Sequence, residues 1–545
     1  MKNTKNHRKE IILLVCISLI YAAWAVGFIY RNSYVAIDGR RYFSLFDDSM
    51  ISMRYAWNFA HGHGLVWNVG ERVEGYTNLL MTLVMTLASL FLNKTFSPLA
   101  VQIFAIPTIL GAAFLMRAVV LLVTDDEQHR EMIGWLAFAC TLFYYPLSYW
   151  ALLGMETGLL TLLILATVLF ALRWLKTNQM SDGLAMAITA GLAYLTRDDA
   201  LIPVAMIFAF VALETWIKKK DKQRFLQIVY AGMILALFPV GHTIFRVVYY
   251  GALLPNTYLL KLGNFSLHIR AIGGTRFVIP FLEQSAPVLL LAIAALVLSF
   301  NRTRAFFLSF LLAALGYQIY VGGDPWPLWR ILSPAMPLVF VLAILGVLGL
   351  LQQWAWLAKH RASIASLTIV LTLAALVSTD LPFLSEDLLI YQTSASTASR
   401  VNTNTAIAIN ALTAPGASIG VVWAGTVPYY ADRYAVDFLG KSDRYIASLK
   451  PDISGAASWG GMISVPGHNK YDLNYSIVER RPTYIQDYAW GDQTVFKWAV
   501  QNYVQVEYHG LLGEKTIFLQ KDSPLVCWEA CKANYRIVPW PKITW

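Results

Sequence analysis

A chain of 545 residues that is 57% hydrophobic and only 14% charged, with a mean hydropathy of +0.52, is too apolar for an ordinary water-soluble enzyme. Its net charge of +10 raises nucleic acid as a partner. Much of that excess lies in short basic clusters between apolar runs, as expected of loops kept on the cytoplasmic side of a membrane. The expected partner is therefore the lipid bilayer, with no nucleic acid.

Crossing about 30 Å of hydrocarbon takes roughly 20 apolar residues. Twelve runs are candidates: 11–30, 78–93, 98–123, 132–152, 156–172, 180–195, 199–217, 225–248, 277–300, 305–321, 331–357 and 363–379. The first follows a basic N-terminus (Lys2, Lys5, Arg8, Lys9) with no A-x-A-like cleavage site after it, and reads as a retained span. Basic clusters at the N-terminus, Arg173 with Lys176, Lys218 to Arg224, Arg302 with Arg304, and Lys359 with Arg361 are assigned to the cytoplasm. That leaves 31–77, Thr196 to Asp199, 249–276, 322–330 and everything after 380 outside. Four runs lie between the first external loop and Arg173, where an odd number of crossings is required. The shortest, 78–93, is the one expected not to cross, which gives about eleven spans. The expected fold is a polytopic α-helical membrane protein: a membrane domain at 1–380, then an extracytoplasmic α/β or α+β domain at 381–545.

The first external loop, 31–77, is dense in polar residues. Asp47-Asp48 leads a helix-like stretch from about Ser49 to Ala60, His61-Gly62-His63-Gly64 ends it, and an acidic, aromatic and amide cluster runs from Glu71 to Asn78. One of the two aspartates is expected to cap the helix, worth about 1 kcal/mol; a carboxylate there is also placed to act as general base toward a sugar hydroxyl. His61 and His63, one glycine apart with no third ligand nearby, read as a turn rather than a metal site. Glu156 heads a span, where an acidic group needs a partner. Trp326 and Trp329 read as aromatic-belt residues, and Asp324 as a turn or acceptor contact.

In the last part of the chain, Thr397 to Leu412 reads as a helix, Ala417 to Trp423 as a buried strand, and Val504 to Tyr508 with Lys515 to Leu519 as a hairpin across His509 to Glu514. Cys527 and Cys531 suit a local disulfide in an oxidising compartment. No internal repeat is visible. A transporter would show paired halves with related broken helices, and none is seen; a non-catalytic glycan-assembly scaffold is the other alternative.

The stretch DDSMISMRYAWNFAHGHGLVWNVGERVEGYTN (47–78) resembles the first external loop of GT-C glycosyltransferases, and is most similar to that of the mycobacterial terminal β-(1→2) arabinofuranosyltransferase family. Gly154-Met155-Glu156-Thr157, Leu195-Thr196-Arg197-Asp198-Asp199, Leu254-Pro255-Asn256-Thr257-Tyr258, Gly322-Gly323-Asp324 with Arg330, and Asp437 to Asp443 follow in the same order. The chain departs from the pattern at Asp198-Asp199, where a Pro-Asp is expected, and in the Trp-rich loop after Gly323.

The resemblance implies a sugar donor carried on polyprenyl phosphate and a glycan acceptor outside the cytoplasmic (inner) membrane. Arabinofuranose is the first candidate sugar, and mannose or another hexose the alternative. It also implies a catalytic carboxylate at Asp47 or Asp48, with Asp47 favoured. Phosphate-holding cations are expected among Arg54, Arg197, Lys261 and Arg330, because a leaving phosphate needs charge stabilisation. Glu74, Tyr76, Asn78, Glu156, Asp198, Asn256, Tyr258 and Asp324 are expected to bind substrate. No motif specifies a cofactor; a divalent metal is compatible with this chemistry but is not indicated by the sequence.

Overall fold

The computed structural model describes residues 2–124, 126–219, 222–354, 361–454, 466–487, 493–510 and 513–538. Lys359 of the expected cytoplasmic clusters lies outside the described residues, as do residues 511–512 in the expected hairpin turn.

Among the described residues, nine helices are long and apolar enough to cross a membrane: Glu10–Asn32, Ser97–Val123, Thr157–Thr177, Asp198–Ile217, Lys222–Tyr250, Leu267–Leu298, Arg302–Val321, Ser333–Gln352 and Ala362–Asp387. Three other expected spans differ. Run 132–152 is broken into Arg130–Phe143 and Tyr145–Leu152, because Pro146 cannot donate to the preceding turn. Run 180–195 is the 17-residue helix Met180–Thr196. Run 78–93 becomes Leu79–Phe91, whose 13 residues rise only about 20 Å, short of the hydrocarbon thickness.

Met336–Gln352 is the centre of the bundle and is buried along most of its length. It lies so close to Leu267–Leu298 that a Cβ on Gly346 would run into the Leu291 carbonyl; a small residue is what permits that approach. Outer helices keep bare apolar faces, such as Leu237, Val240, Ile244 and Val248. Contiguous exposed apolar surface of this kind is what lipid covers.

Among the described residues there are eight strands. A two-residue hairpin, β1 (Tyr34–Val35) with β2 (Arg41–Tyr42), opens the first loop. The other six form one sheet in the order β4-β3-β5-β7-β6-β8: β3 (Ser418–Val421), β4 (Tyr434–Asp437), β5 (Tyr484–Ile485), β6 (Tyr503–Gly510), β7 (Gly513–Gln520) and β8 (Arg536–Val538). β3 pairs in parallel with β4 and β5, while β7, β6 and β8 pair antiparallel, with Tyr508 opposite Lys515. Helix Ser394–Leu412 covers the sheet through Ala406, Ile409 and Leu412. Those three share one apolar cluster with Ile51, Tyr55, Trp67 and Tyr76 of the first loop. The sheet is thereby anchored to the first loop by a common core.

Two expectations are corrected here. Cys527 and Cys531 are free thiols, Cys531 buried in the sheet's core and Cys527 at the surface. Trp326 and Trp329 are not belt residues. Trp329 is buried on Phe277 and Phe281, and Trp326 packs against Phe46, Trp423 and His468.

Candidate active site

A cavity of about 630 Å³ lies between the bundle and the sheet. Its walls are the first-loop helix Asp47–Ala60, the chain at 75–78, helix Asn256–Leu262, the loop at 323–331, and the turn that carries Lys441.

The two aspartates part company. Neither caps its own helix, whose N-cap is Phe46 with no side-chain bond; both sit in the first turn, favoured there by the helix dipole. Asp47 turns toward the sheet domain. Its Oδ2 accepts the Gly425 N–H at 3.0 Å and its Oδ1 the Thr426 N–H at 2.8 Å. A Cβ on Gly425 would collide with the Asp47 carbonyl, so glycine is what allows the approach. Burial raises the Asp47 carboxyl above its ordinary range, against those N–H bonds.

Asp48 faces the cavity. Lys441 Nζ reaches its Oδ1 at 2.5 Å and Arg330 Nη1 its Oδ2 at 3.3 Å. Burial works to raise this carboxyl, but Lys441 and Arg330 outweigh it and hold it well below the carboxylate range. Arg330 also donates from Nη2 to Asp324 Oδ2 at 3.0 Å.

The turn that presents Lys441 is gripped from both sides. Asp437 accepts the N–H groups of Leu439, Gly440 and Ser442. The Asn256 amide donates to the carbonyls of Gly440, Lys441 and Asp443. Asn256 is therefore corrected from a substrate contact to a support of the Lys441 turn. Arg54 is corrected likewise: its guanidinium donates to the carbonyls of Trp67, Pro428 and Arg433 and to Asn68 Oδ1. A guanidinium already committed to four acceptors joins the first loop to the sheet domain, and it does not line the cavity. Glu74 is buried behind the wall, paired with Arg246 at 2.5 Å, and does not line the cavity.

The other expected residues do line it: Tyr76, Asn78, Glu156, Arg197, Asp198, Tyr258, Lys261, Asp324 and Arg330. Glu156 has the partner its depth demands. Its Oε1 accepts from Arg197 at 2.6 Å and its Oε2 from Asn78 at 3.2 Å, while Arg197 also grips Asp199 through two nitrogens. Beside them, an apolar groove lined by Leu160, Ile164, Pro203, Phe310 and Ala314 opens off the same Glu156–Arg197 pair.

Lys261 stands apart from the other cations, because no hydrogen bond or ion pair engages its ammonium among the described residues. Burial lowers its proton affinity, and it lies within electrostatic reach of Asp324, Arg330 and Arg197. Around it, Asp48 and Asp324 face Lys441, Arg330 and Lys261, and Arg197 stands with Glu156 and Asp199, so Lys261 is the cation of this part of the cavity that no carboxylate contacts among the described residues. Among the described residues no group of three or more His, Cys, Asp or Glu side chains is arranged to hold a metal ion. His61 stacks on Trp57 at 4.0 Å, and His63 is exposed.

Sequence reasoning did not assign Lys441, Asp199 or His468 to the site. Lys441 lay inside the quoted stretch Asp437 to Asp443, and the sole cation in a family-like external motif was the available signal. His468 had no such signal.

A polytopic helical bundle with a mixed-sheet domain closing a polar cavity is a GT-C-like fold. A crystal structure of ArnT from Cupriavidus metallidurans bound to undecaprenyl phosphate aligns with a TM-score of 0.50, covering 78% of this chain and 85% of that one at 11% identity; this likeness concerns the fold. The chain is similar in sequence to the terminal β-(1→2)-arabinofuranosyltransferase of Mycobacterium tuberculosis, 33% identical over 225 residues, 39% of this chain and 34% of the relative. It is similar also to the enzyme of the same name from Corynebacterium glutamicum, 25% identical over 246 residues, 39% and 32% of the respective chains. The match thus spans about a third of the length of these curated relatives. Residues 390–535 match a family described as a domain of unknown function, DUF8728.

Proposed function

We propose that this chain is an integral membrane glycosyltransferase that moves a sugar, arabinofuranose first among the candidates, from a polyprenyl-phosphate donor to a hydroxyl of an extracytoplasmic glycan or glycolipid. The observation that carries this reading is the Lys261 ammonium, which no carboxylate contacts among the described residues, in a cavity that continues into an apolar groove: one accommodates a phosphate, the other an isoprenoid chain. The names of the curated relatives supply the sugar.

Asp48 is the carboxylate we assign to the chemistry, in place of the favoured Asp47, whose two oxygens are taken by backbone N–H groups. Asp48 engages two of the cations a phosphate would use. A donor phosphate that draws off Lys441 and Arg330 removes the two groups holding the Asp48 carboxyl low, and its basicity rises as the donor arrives. Asp48 then takes the proton of the acceptor hydroxyl as its oxygen bonds to the anomeric carbon. The bond from that carbon to the phosphate oxygen breaks, and polyprenyl phosphate leaves with the electron pair, stabilised by Lys261, Arg330 and Lys441.

The test is to supply the purified protein with a panel of polyprenyl-phosphate sugars and identify the transferred residue by mass spectrometry. Transfer of a pentose is expected. Transfer of a hexose alone would replace the sugar, and no transfer from any donor would remove the enzyme reading.

A further inference from the structure

The cavity is divided by charge. Away from Lys261, where helix Lys222–Tyr250 meets the residues after Thr196, the lining includes Tyr194, Asp198, Thr243 and Arg246. Arg246 donates from Nη2 to Asp198 Oδ2 at 2.9 Å and to Glu74 Oε1 at 3.1 Å. Two carboxylates against one guanidinium leave this end with one negative charge when His242 is neutral. A phosphate is repelled from such a place; a neutral polyhydroxylated molecule is not.

His242 makes the end a built site. Its side chain is 1% exposed, with Nε2 3.5 Å from Glu74 Oε1 and Nδ1 3.6 Å from Asp198 Oδ1. Neither nitrogen completes a hydrogen bond at ordinary distance. Behind Asp198, Arg246 holds one carboxylate oxygen by a hydrogen bond and the His242 ring lies against the other, while the side chain remains 27% open. An ionised carboxylate can accept from two hydroxyls at once, and charge-assisted bonds of this kind are roughly twice as strong as neutral ones. Tyr194 beside it, together with Leu253 and Leu254, supplies the ring and apolar surfaces against which a sugar's C–H face packs.

We propose that the Tyr194–Asp198–Arg246 end of the cavity is the acceptor-sugar subsite, with Asp198 accepting hydroxyl groups of the incoming glycan and His242 acting as a positioning residue for that carboxylate. This rests on the glycosyltransferase reading for its catalytic consequence, but the binding of a neutral glycoside can be measured without any donor.

The first measurement is saturation-transfer NMR of octyl arabinofuranoside on the purified protein, wild type against Asp198→Asn and Thr243→Leu. Thr243→Leu narrows this end without touching its charges. Loss of at least tenfold in affinity in both variants is expected, with polyprenyl phosphate still bound as in the wild type. The second is steady-state transfer with a polyprenyl-phosphate arabinofuranose donor. Asp198→Asn is expected to raise KM for the glycoside at least tenfold, with donor KM changed much less. His242→Gln should weaken glycoside binding less than Asp198→Asn. Undiminished glycoside binding in both Asp198→Asn and Thr243→Leu overturns the subsite, as does a rise in donor KM with acceptor KM unchanged. Glycoside binding that depends on Asp198 in a protein that transfers no sugar keeps the subsite and removes the enzyme reading instead.

Discussion

Lys441 and Asp48 lie 393 residues apart in the chain and meet at 2.5 Å, which makes the roof of the cavity a joint product of the first loop and the sheet domain. The contact depends on a turn held by Asp437 from inside and Asn256 from outside. The site is thus assembled by domain docking and does not exist on the membrane bundle alone.

The two adjacent aspartates should respond differently to the same substitution. Asp48→Asn removes the carboxylate that faces the cavity and is expected to lower kcat by roughly 10²–10⁴-fold in folded protein. Asp47→Asn keeps one acceptor oxygen but sets an amide against a backbone N–H, so it should destabilise the protein by about 1–3 kcal/mol while leaving activity per folded molecule within about threefold. Thermal melts in detergent and sugar transfer measured on both variants check this. The reverse pattern would return the chemistry to Asp47.

Lys261→Gln and Arg330→Gln should raise KM for the lipid donor by about tenfold or more, with acceptor KM little changed, since a charge-assisted contact to phosphate contributes about 1.5–3 kcal/mol. Arg330→Gln should also lower kcat, because Arg330 orients Asp48 as well. Initial rates with donor and acceptor varied independently are the measurement. Unchanged donor KM in both variants and in their double would remove the phosphate assignment.

Arg54→Met tests the brace between loop and sheet. Four acceptors lose a buried donor, at a cost of about 3 kcal/mol or more. The expected result is early proteolysis and a melting temperature lowered by several degrees, with donor KM unaffected in the surviving folded fraction. A raised donor KM at wild-type stability would restore Arg54 as a substrate contact.

His468 supplies a pH signature. Burial, with Lys441 nearby, pushes its imidazole down to about 3 from an ordinary value near 6.5. Between those values the unfolded chain binds the extra proton, so the contribution is fully present above pH 6.5 and is lost as pH falls toward 3, by at most about 1.4 kcal/mol per pH unit. Asp437 runs the other way: burial raises its carboxyl to about 6 from 3.8. Its contribution is largest below pH 3.8 and disappears as pH rises through 6. The difference between wild type and His468→Gln isolates the histidine, and the variant should lose less stability between pH 6.5 and 4.5. Parallel melting curves for the two proteins across that range would place the imidazole in contact with water.

Much of the architecture was legible because lipid imposes a simple demand: about 20 apolar residues per crossing, which composition alone reveals. Pro146 showed where run 132–152 would break only once the helix was seen to restart at Tyr145. In the site, carboxylates and cations within family-like motifs could be named, but not the direction each faces. Asp47 and Asp48 are neighbours in sequence, and about 100° of helical rotation per residue turns one to the sheet and the other to the cavity. Arg54 and Asn256 look like ligand contacts in sequence because five of the carbonyls that engage them, those of Pro428, Arg433, Gly440, Lys441 and Asp443, lie some 180 or more positions away. His468 belongs to a segment with no motif, and only folding brings it to Asp48.

The last prediction concerns sidedness, on which the whole assignment depends, because the donor's sugar must meet its acceptor on the side where Asp48 and Lys441 meet. From the charge pattern after Arg173, residues beyond 380 are expected outside the cytoplasm, and the free thiols offer a direct probe. Cys527 is exposed at the start of the helix Trp528–Asn534, whereas Cys531 is buried in the sheet's core. Cys16 lies within the first apolar helix and Cys140 is buried in the bundle, so neither competes for a charged reagent once the first helix is in lipid. A membrane-impermeant maleimide applied to intact cells should therefore label one thiol per chain. Cys527→Ser should abolish the label, and Cys531→Ser should leave it. Labelling that requires cell lysis would put the sheet domain in the cytoplasm, and with it the Lys441–Asp48 contact. An acceptor outside the membrane could not then be reached.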